Sequence, residues 1–197
     1  MMKKQLPEQF KMRLKRILAQ DTIDSVFDTF SDEKYLSIRV NTLKISPETY
    51  KQKLDHYPFS GQSVGEVGEM GESLLLKKPE AEESMSEMLR CVERDENEGL
   101  IYRQNLSSQC VAHCVDPKPN ETVLDLCAAP GSKTSHMAAL MRNEGRIWAN
   151  EPIPKRFYKL KNVLSLLGVT NAELSCVDGR RFRPPVGLFD RVLVDAP

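Results

Sequence analysis

The feature that most constrains this chain is the rhythm of its second half, where short apolar runs alternate with helical patterns and most runs stop at a small or acidic residue. The periodicity predicts a strand over 122–127, a helix over 133–142, a strand over 146–150, a helix over 154–167 closed by Gly168, and strands over 172–177 and 191–194. These strands are continuous apolar runs, not alternations of apolar and polar residues, so both faces of their sheet must be covered, as helices cover a parallel sheet. The expected fold class is α/β, a partial doubly wound, Rossmann-like sheet.

The first half lacks that rhythm. Pro7 can open a helix whose apolar stripe is Phe10, Leu14, Ile17 and Leu18, and Ile23, Val26, Phe27 and Phe30 suggest a second short helix. Residues 35–44 alternate and are rich in β-formers, which reads as a strand. Ser46-Pro47 then caps a helix running to about 56. Residues 58–73 read as turn material before a short strand at 74–76, and the highly charged 77–98 reads as a surface insertion or an exposed helix. This mixture predicts a smaller α+β domain over 1–98, followed by the α/β domain over 99–197, which a helix at about 105–115 opens and Pro117 and Pro119 terminate.

Composition, with 40% apolar and 28% charged residues in 197, fits a globular protein and excludes disorder, collagen and a disulfide miniprotein. No run approaches the roughly 18 apolar residues of a membrane span, and the first residues lack the apolar stretch of a signal peptide, so no membrane partner and a cytoplasmic location are expected. The net charge of zero is a cancellation. Residues 1–16 set Lys3, Lys4, Lys11, Arg13, Lys15 and Arg16 against Glu8 alone; 66–98 are strongly acidic; 146–183 are basic again through Arg146, Lys155, Arg156, Lys159, Lys161, Arg180, Arg181 and Arg183. Each basic patch suits either a polyanion or simply solvent. Five cysteines form an odd set in a chain without a secretory signal, which argues against a disulfide framework. Cys110-Val-Ala-His113-Cys114 lacks the partner pair of a closed zinc site, so no metal is expected, and Cys110 and Cys114 read as buried small hydrophobes on one helix face.

In doubly wound sheets ligands sit beyond the carboxyl ends of the strands, near the point where strand order reverses. After the first strand comes Cys127-Ala128-Ala129-Pro130-Gly131-Ser132-Lys133, small and tightly turning, directly before a helix start. Gly131 and its small neighbours would let backbone N–H groups approach a ligand, with the helix N-terminus favouring its anionic part. Lys133-Thr134 imitates the end of a phosphate loop, but that motif needs glycine where this chain has Cys127 and Ser132, and the three spaced glycines of a dinucleotide fingerprint are missing as well. Glu151 follows the second strand at the position from which an acid bonds ribose hydroxyls. Asp178 follows the third and Asp195 the fourth. Any one acid could cap a turn. Three together would repel phosphates, yet suit a cofactor carrying ribose hydroxyls, an ammonium, a sulfonium and an adenine amino group. S-adenosylmethionine is such a cofactor, and its carboxylate could meet the helix N-terminus.

These residues resemble a known family. Val123-Leu-Asp-Leu-Cys-Ala-Ala-Pro-Gly-Ser-Lys-Thr134, Asn150-Glu151, Asp178-Gly179-Arg180 and Val194-Asp-Ala-Pro197 are similar to the cofactor motifs of RNA cytosine-C5 methyltransferases of the Nop2/Sun type, which include bacterial ribosomal RNA enzymes. Ser37-Ile-Arg-Val-Asn-Thr-Leu-Lys44 and Tyr102-Arg-Gln-Asn-Leu-Ser-Ser108 resemble that family's upstream segments. The resemblance implies that Cys127, Ala128, Ala129, Pro130, Gly131, Ser132 and Lys133 form the loop around the methionine part of S-adenosylmethionine. It implies further that Glu151 holds the ribose, that Asp178 lies near the adenine, and that Asp195 lines the cofactor pocket while contacting the target cytosine. The 1–98 domain would help dock rRNA or tRNA. Because C5 of cytosine is a poor nucleophile, a thiolate must first add to C6, and a carboxyl group near N3 steadies the developing charge, the role assigned to the catalytic Asp195. In the family the nucleophilic cysteine lies after a later strand, beyond Pro197, so the expectation is a C-terminally truncated, monomeric and inactive piece of an RNA-methylating enzyme. The alternatives are a non-catalytic module binding S-adenosylmethionine or RNA, and a methyltransferase acting on another substrate.

Overall fold

The structure is a computed structural model that describes residues 6–30, 35–57, 64–67, 70–79, 81–184 and 187–196. It divides into two compact units, Met1–Tyr35 and Leu36–Pro197. In the first, helix α1 (Glu8–Ile17) follows Pro7, which stands as the cap just before the helix and not inside its first turn. Helix α2 (Ile23–Thr29) completes the unit, and Phe10 meets Phe30 edge to face at 5.5 Å.

The second unit holds two sheets. Strand β1 (Leu36–Val40) leads to helix α3 (Pro47–Asp55), which starts as expected: the Ser46 hydroxyl accepts from the Thr49 N–H and Pro47 occupies the first turn. Strands β2 (Val64–Val67) and β3 (Met70–Leu76) form a hairpin where turn material and only a short strand at 74–76 were expected. The charged stretch that follows contains helix α4 (Glu82–Asn97), and it is neither an insertion nor a wholly exposed helix: Met88, Val92 and Asp95 recur at helical spacing and are buried. Burying Met88 and Val92 contributes about 1.5–3 kcal/mol each. Strand β4 (Ile101–Arg103) closes an antiparallel sheet of order β2-β3-β1-β4. Its core joins Ile38, Val40, Tyr50, Leu54, Leu74, Leu76 and Ile101 to the two helix residues. This sheet draws residues from both sides of the expected division at 98 and 99, and the compact division falls instead at Tyr35.

Helix α5 (Leu106–Val115) buries Gln109 and Ala112 and leaves Cys110 and Cys114 exposed, which corrects their reading as buried thiols. Small Ala112 sits in the core beside α6 (Ser132–Leu140), and that packing decides which face of α5 turns inward. The second sheet then runs β5 (Thr122–Asp125), β6 (Arg146–Asn150) after α6, β7 (Ala172–Ser175) after helix α7 (Pro154–Leu166), and β8 (Arg191–Leu193). Its order is β7-β6-β5-β8 and every pairing is parallel. The chain therefore moves outward from β5 through β6 to β7 and then crosses back to β8 on the other side, so the order reverses between β5 and β8. Among the described residues no helix is long and apolar enough to cross a membrane.

Candidate cofactor site

The site lies where that reversal places it. A cavity of about 240 Å³ is lined by Cys127, Ala128, Ala129, Pro130, Ser132 and Lys133 after β5, by Asp195 and Ala196 after β8, and by Arg156 of α7. Two loops leaving neighbouring parallel strands in the same direction leave such a crevice between them. Lys133 Nζ crosses it to Asp195 Oδ2 at 2.6 Å, with the lysine side chain mostly buried and the aspartate half exposed.

Gly131 has φ +107 and stands at the N-cap of α6. A Cβ there would come within 3.1 Å of Leu160 and 3.3 Å of Val163, both on α7. The glycine is thus required by a left-handed backbone and by helix packing, whereas the sequence suggested close approach to a ligand; it is not among the residues lining the cavity. Asp125, at the end of β5, is buried and takes a 2.7 Å hydrogen bond from the Thr134 hydroxyl. Burial pushes its carboxyl up to about 6.

Glu151 is buried too, but its carboxylate turns toward the start of α7: it accepts from the Ile153 N–H at 3.0 Å and lies 3.5 Å from Arg156. Asp178 caps the 3-10 turn Gly179–Arg181, accepting from the Arg180 N–H and guanidinium, which hold its carboxyl down at about 2. Neither acid lines the 240 Å³ cavity; both stand at strand ends of the same sheet edge.

Two residues have parts in the site that the sequence did not assign to them. Arg156 counted only as part of a basic patch, yet its guanidinium donates to the Ala129 carbonyl at 2.9 Å and faces Glu151, tying the β5 loop to α7. Asn150 is buried at the end of β6; its amide donates to the carbonyls of Leu126 (3.3 Å) and Val177 (3.0 Å), while its oxygen accepts from Ser175 Oγ (2.8 Å) and the Val177 N–H (3.2 Å). One side chain thereby holds the ends of β5, β6 and β7 in register. The available signal was a polar amide closing an otherwise apolar strand.

Cys127 is the one cysteine on the cavity, and burial together with the nearby carboxylates of Asp125, Glu151 and Asp195 pushes its thiol up. A thiol so placed is a poor nucleophile. Cys91 lies on α4, Cys110 and Cys114 on α5, and Cys176 just beyond β7.

Residues 112–197 match the family model described as 16S rRNA methyltransferase RsmB/F. This second half of the chain is similar to the RsmB/F methyltransferase family. The chain is 35% identical over 196 residues to ribosomal RNA small subunit methyltransferase F of Vibrio campbellii, an alignment that covers 98% of this chain and 39% of that protein. Over 99 residues it is 48% identical to the human 28S rRNA (cytosine(4447)-C(5))-methyltransferase, covering 50% of this chain and 12% of the relative. Among solved structures, the protein PH0851 superposes with a TM-score of 0.78 at 34% identity, covering 97% of this chain and 41% of that one. The chain thus spans about two fifths or less of the lengths of these relatives. The RsmB/F match begins within α5, so it takes in the whole parallel sheet and every residue of the cavity.

Proposed function

We propose that this chain carries the cofactor-binding part of an enzyme that transfers a methyl group from S-adenosylmethionine to C5 of cytosine in ribosomal or transfer RNA, acting as a cytoplasmic monomer. The observation that carries this reading is the cavity at the β5/β8 reversal, bridged by Lys133 and Asp195. The donor set fits the cofactor: one lysine and the first turn of α6 for a carboxylate, and three strand-end acids for cationic and hydroxyl groups, with no glycine nest for phosphates. The cofactor, when bound, supplies an electrophilic methyl group on sulfur.

The remaining roles belong to this chain. Cys127, Ala128, Ala129 and Pro130 present small side chains and backbone to the methionine part, and Lys133 meets its carboxylate. Glu151, oriented by Arg156 and the Ile153 N–H, offers an oxygen to the ribose, and Asp178 reaches the adenine. Asp195 stands nearest the chemistry, where it exchanges Lys133 for the N3 edge of the target cytosine and stabilises charge developing there. The exposed Arg13, Lys15 and Arg16 of α1 and Lys155, Lys159 and Lys161 of α7 bind RNA phosphates. Cys127, the cysteine on the cavity, has its thiol pushed up by burial and is a poor nucleophile, so this reading does not assign it the attack on C6.

The test is calorimetric titration with four ligands. S-adenosylmethionine and S-adenosylhomocysteine are expected to bind, and ATP and NAD not to. Preference for either phosphate-bearing nucleotide would overturn the reading. With methyl-labelled cofactor and mixed RNA, the chain by itself is expected to transfer no label.

A further inference from the structure

Away from the cavity, three ligand-type side chains converge from three elements: Glu72 of β3, His113 of α5 and His136 of α6. The Nε2 atoms of His113 and His136 lie 2.6 and 2.8 Å from the same Glu72 Oε1, their rings meet edge to face at 5.0 Å, and one donor atom from each residue falls within 4.8 Å of the others. His136 is fully buried, Glu72 is 13% exposed, and His113, at 30%, opens the cluster to solvent. We propose that this trio binds one divalent transition-metal ion, with two imidazole nitrogens and a carboxylate oxygen from the protein and water filling the solvent side.

The donor chemistry selects the class of ion: imidazole with carboxylate suits zinc and its neighbours in the first transition row, and two histidines with one glutamate is a known three-ligand zinc set that leaves a position open. Bonds of about 2.0–2.1 Å in a tetrahedral arrangement place ligand atoms roughly 3.3 Å apart. The present N···O separations of 2.6 and 2.8 Å must therefore open by about 0.5–0.7 Å, within the reach of side-chain rotation at Glu72 and His113. The alternative use of the cluster is two N–H donors sharing one carboxylate oxygen. Two features limit affinity. The Arg39 guanidinium also faces Glu72 and His136, and ligation through Nε2 leaves the ring proton of His136 on Nδ1, which has no partner among the described residues. The site should accordingly be weaker than a closed four-ligand zinc site. Its effect would be to staple β3 of the antiparallel sheet to two helices of the methyltransferase sheet.

The chain, stripped with chelator and dialysed, is titrated with Zn²⁺ by calorimetry and with Co²⁺ by visible absorption. The expected result is one ion per chain, a Co²⁺ spectrum without a thiolate charge-transfer band, and a melting temperature raised by about 5–10 °C at a hundredfold excess over Kd. His113→Ala, at a partly exposed position that leaves the core intact, should abolish all three effects, and Glu72→Gln should weaken binding at least tenfold. The Cys110→Ser/Cys114→Ser double variant should bind as before. No saturable binding would reduce the trio to a hydrogen-bond cluster, and binding that survives His113→Ala or disappears with the two cysteines would place the metal elsewhere; either result overturns the proposal. Cofactor binding at the Lys133 cavity takes no part in this test.

Discussion

Asp125 shows how one residue at the base of the site sets a measurable property. Its carboxyl titrates near 6 in the folded chain, against about 3.8 for an ordinary aspartate, because burial penalises the charge. As pH rises from about 4 through 6 the unfolded chain gives up this proton first, so the folded state holds more protons and stability falls across that window. The shift corresponds to about 2–3 kcal/mol. Asp125→Asn removes the effect: in urea denaturation the variant should match the wild type near pH 4 and exceed it by up to about that amount at pH 8. A difference that does not change with pH would contradict the assignment. Gly131 makes the opposite case, since Ala there meets both a left-handed backbone and the α7 side chains. Gly131→Ala should cost about 1–3 kcal/mol, read as a lowered denaturation midpoint with an unchanged slope.

At the scale of elements, the strand ends are held by Asn150 and the first turns of the helices, and this is where the ligand face acquires its shape. Asn150→Ala would leave the Leu126 and Val177 backbone groups without their partner, a loss of about 2–3 kcal/mol, and should weaken S-adenosylmethionine binding with no change in the residues that line the cavity. Equal affinity in the variant and the wild type would show that the loops keep their positions without it. The same scale shows what sequence reading can and cannot reach. The four parallel strands and their helices were legible because apolar runs flanked by turn residues leave little choice of period, and the crevice at the β5/β8 reversal followed from topology. The β2–β3 hairpin was hidden because glycines and glutamates interrupt its apolar residues, and the positions it gives to the described core come late, at Leu74 and Leu76. In α4 the many charged residues masked a narrow apolar stripe, and the third inward position is an acid: Asp95 is buried because Tyr50, Tyr57 and Lys53 all donate to it. Burial of a charge through partners distant in sequence leaves no periodic trace. Arg156 and Glu151 illustrate the same limit, since two residues read separately, as a basic patch and a ribose acid, prove to face each other.

For the Leu36–Pro197 unit as a whole, the important link is between its two sheets. Arg39, fully buried on β1, donates to the Ser132 carbonyl and the Ser135 hydroxyl at 2.8 Å each, and its guanidinium lies over the Tyr102 ring at 5.6 Å. Asn41 donates to the carbonyls of Gly99 and Leu167, at the far end of α7. The antiparallel sheet therefore grips the helix that begins at the 127–133 loop, which gives the 36–44 segment a physical role behind the cavity. Arg39→Met should cost about 3 kcal/mol and raise amide exchange in the first turn of α6 more than in β7, because it strips partners from Ser132 and Ser135 while leaving the far strand untouched. The proposed place of S-adenosylmethionine is the crevice between β5 and β8. The most direct measurement is mapping of backbone amide shifts by nuclear magnetic resonance as the cofactor is added. Saturable shifts are expected to concentrate in residues 127–133, Pro130 aside for want of an N–H, and at Glu151, Asp178 and Asp195. Saturable binding that leaves those amides unmoved and shifts another surface would contradict that placement.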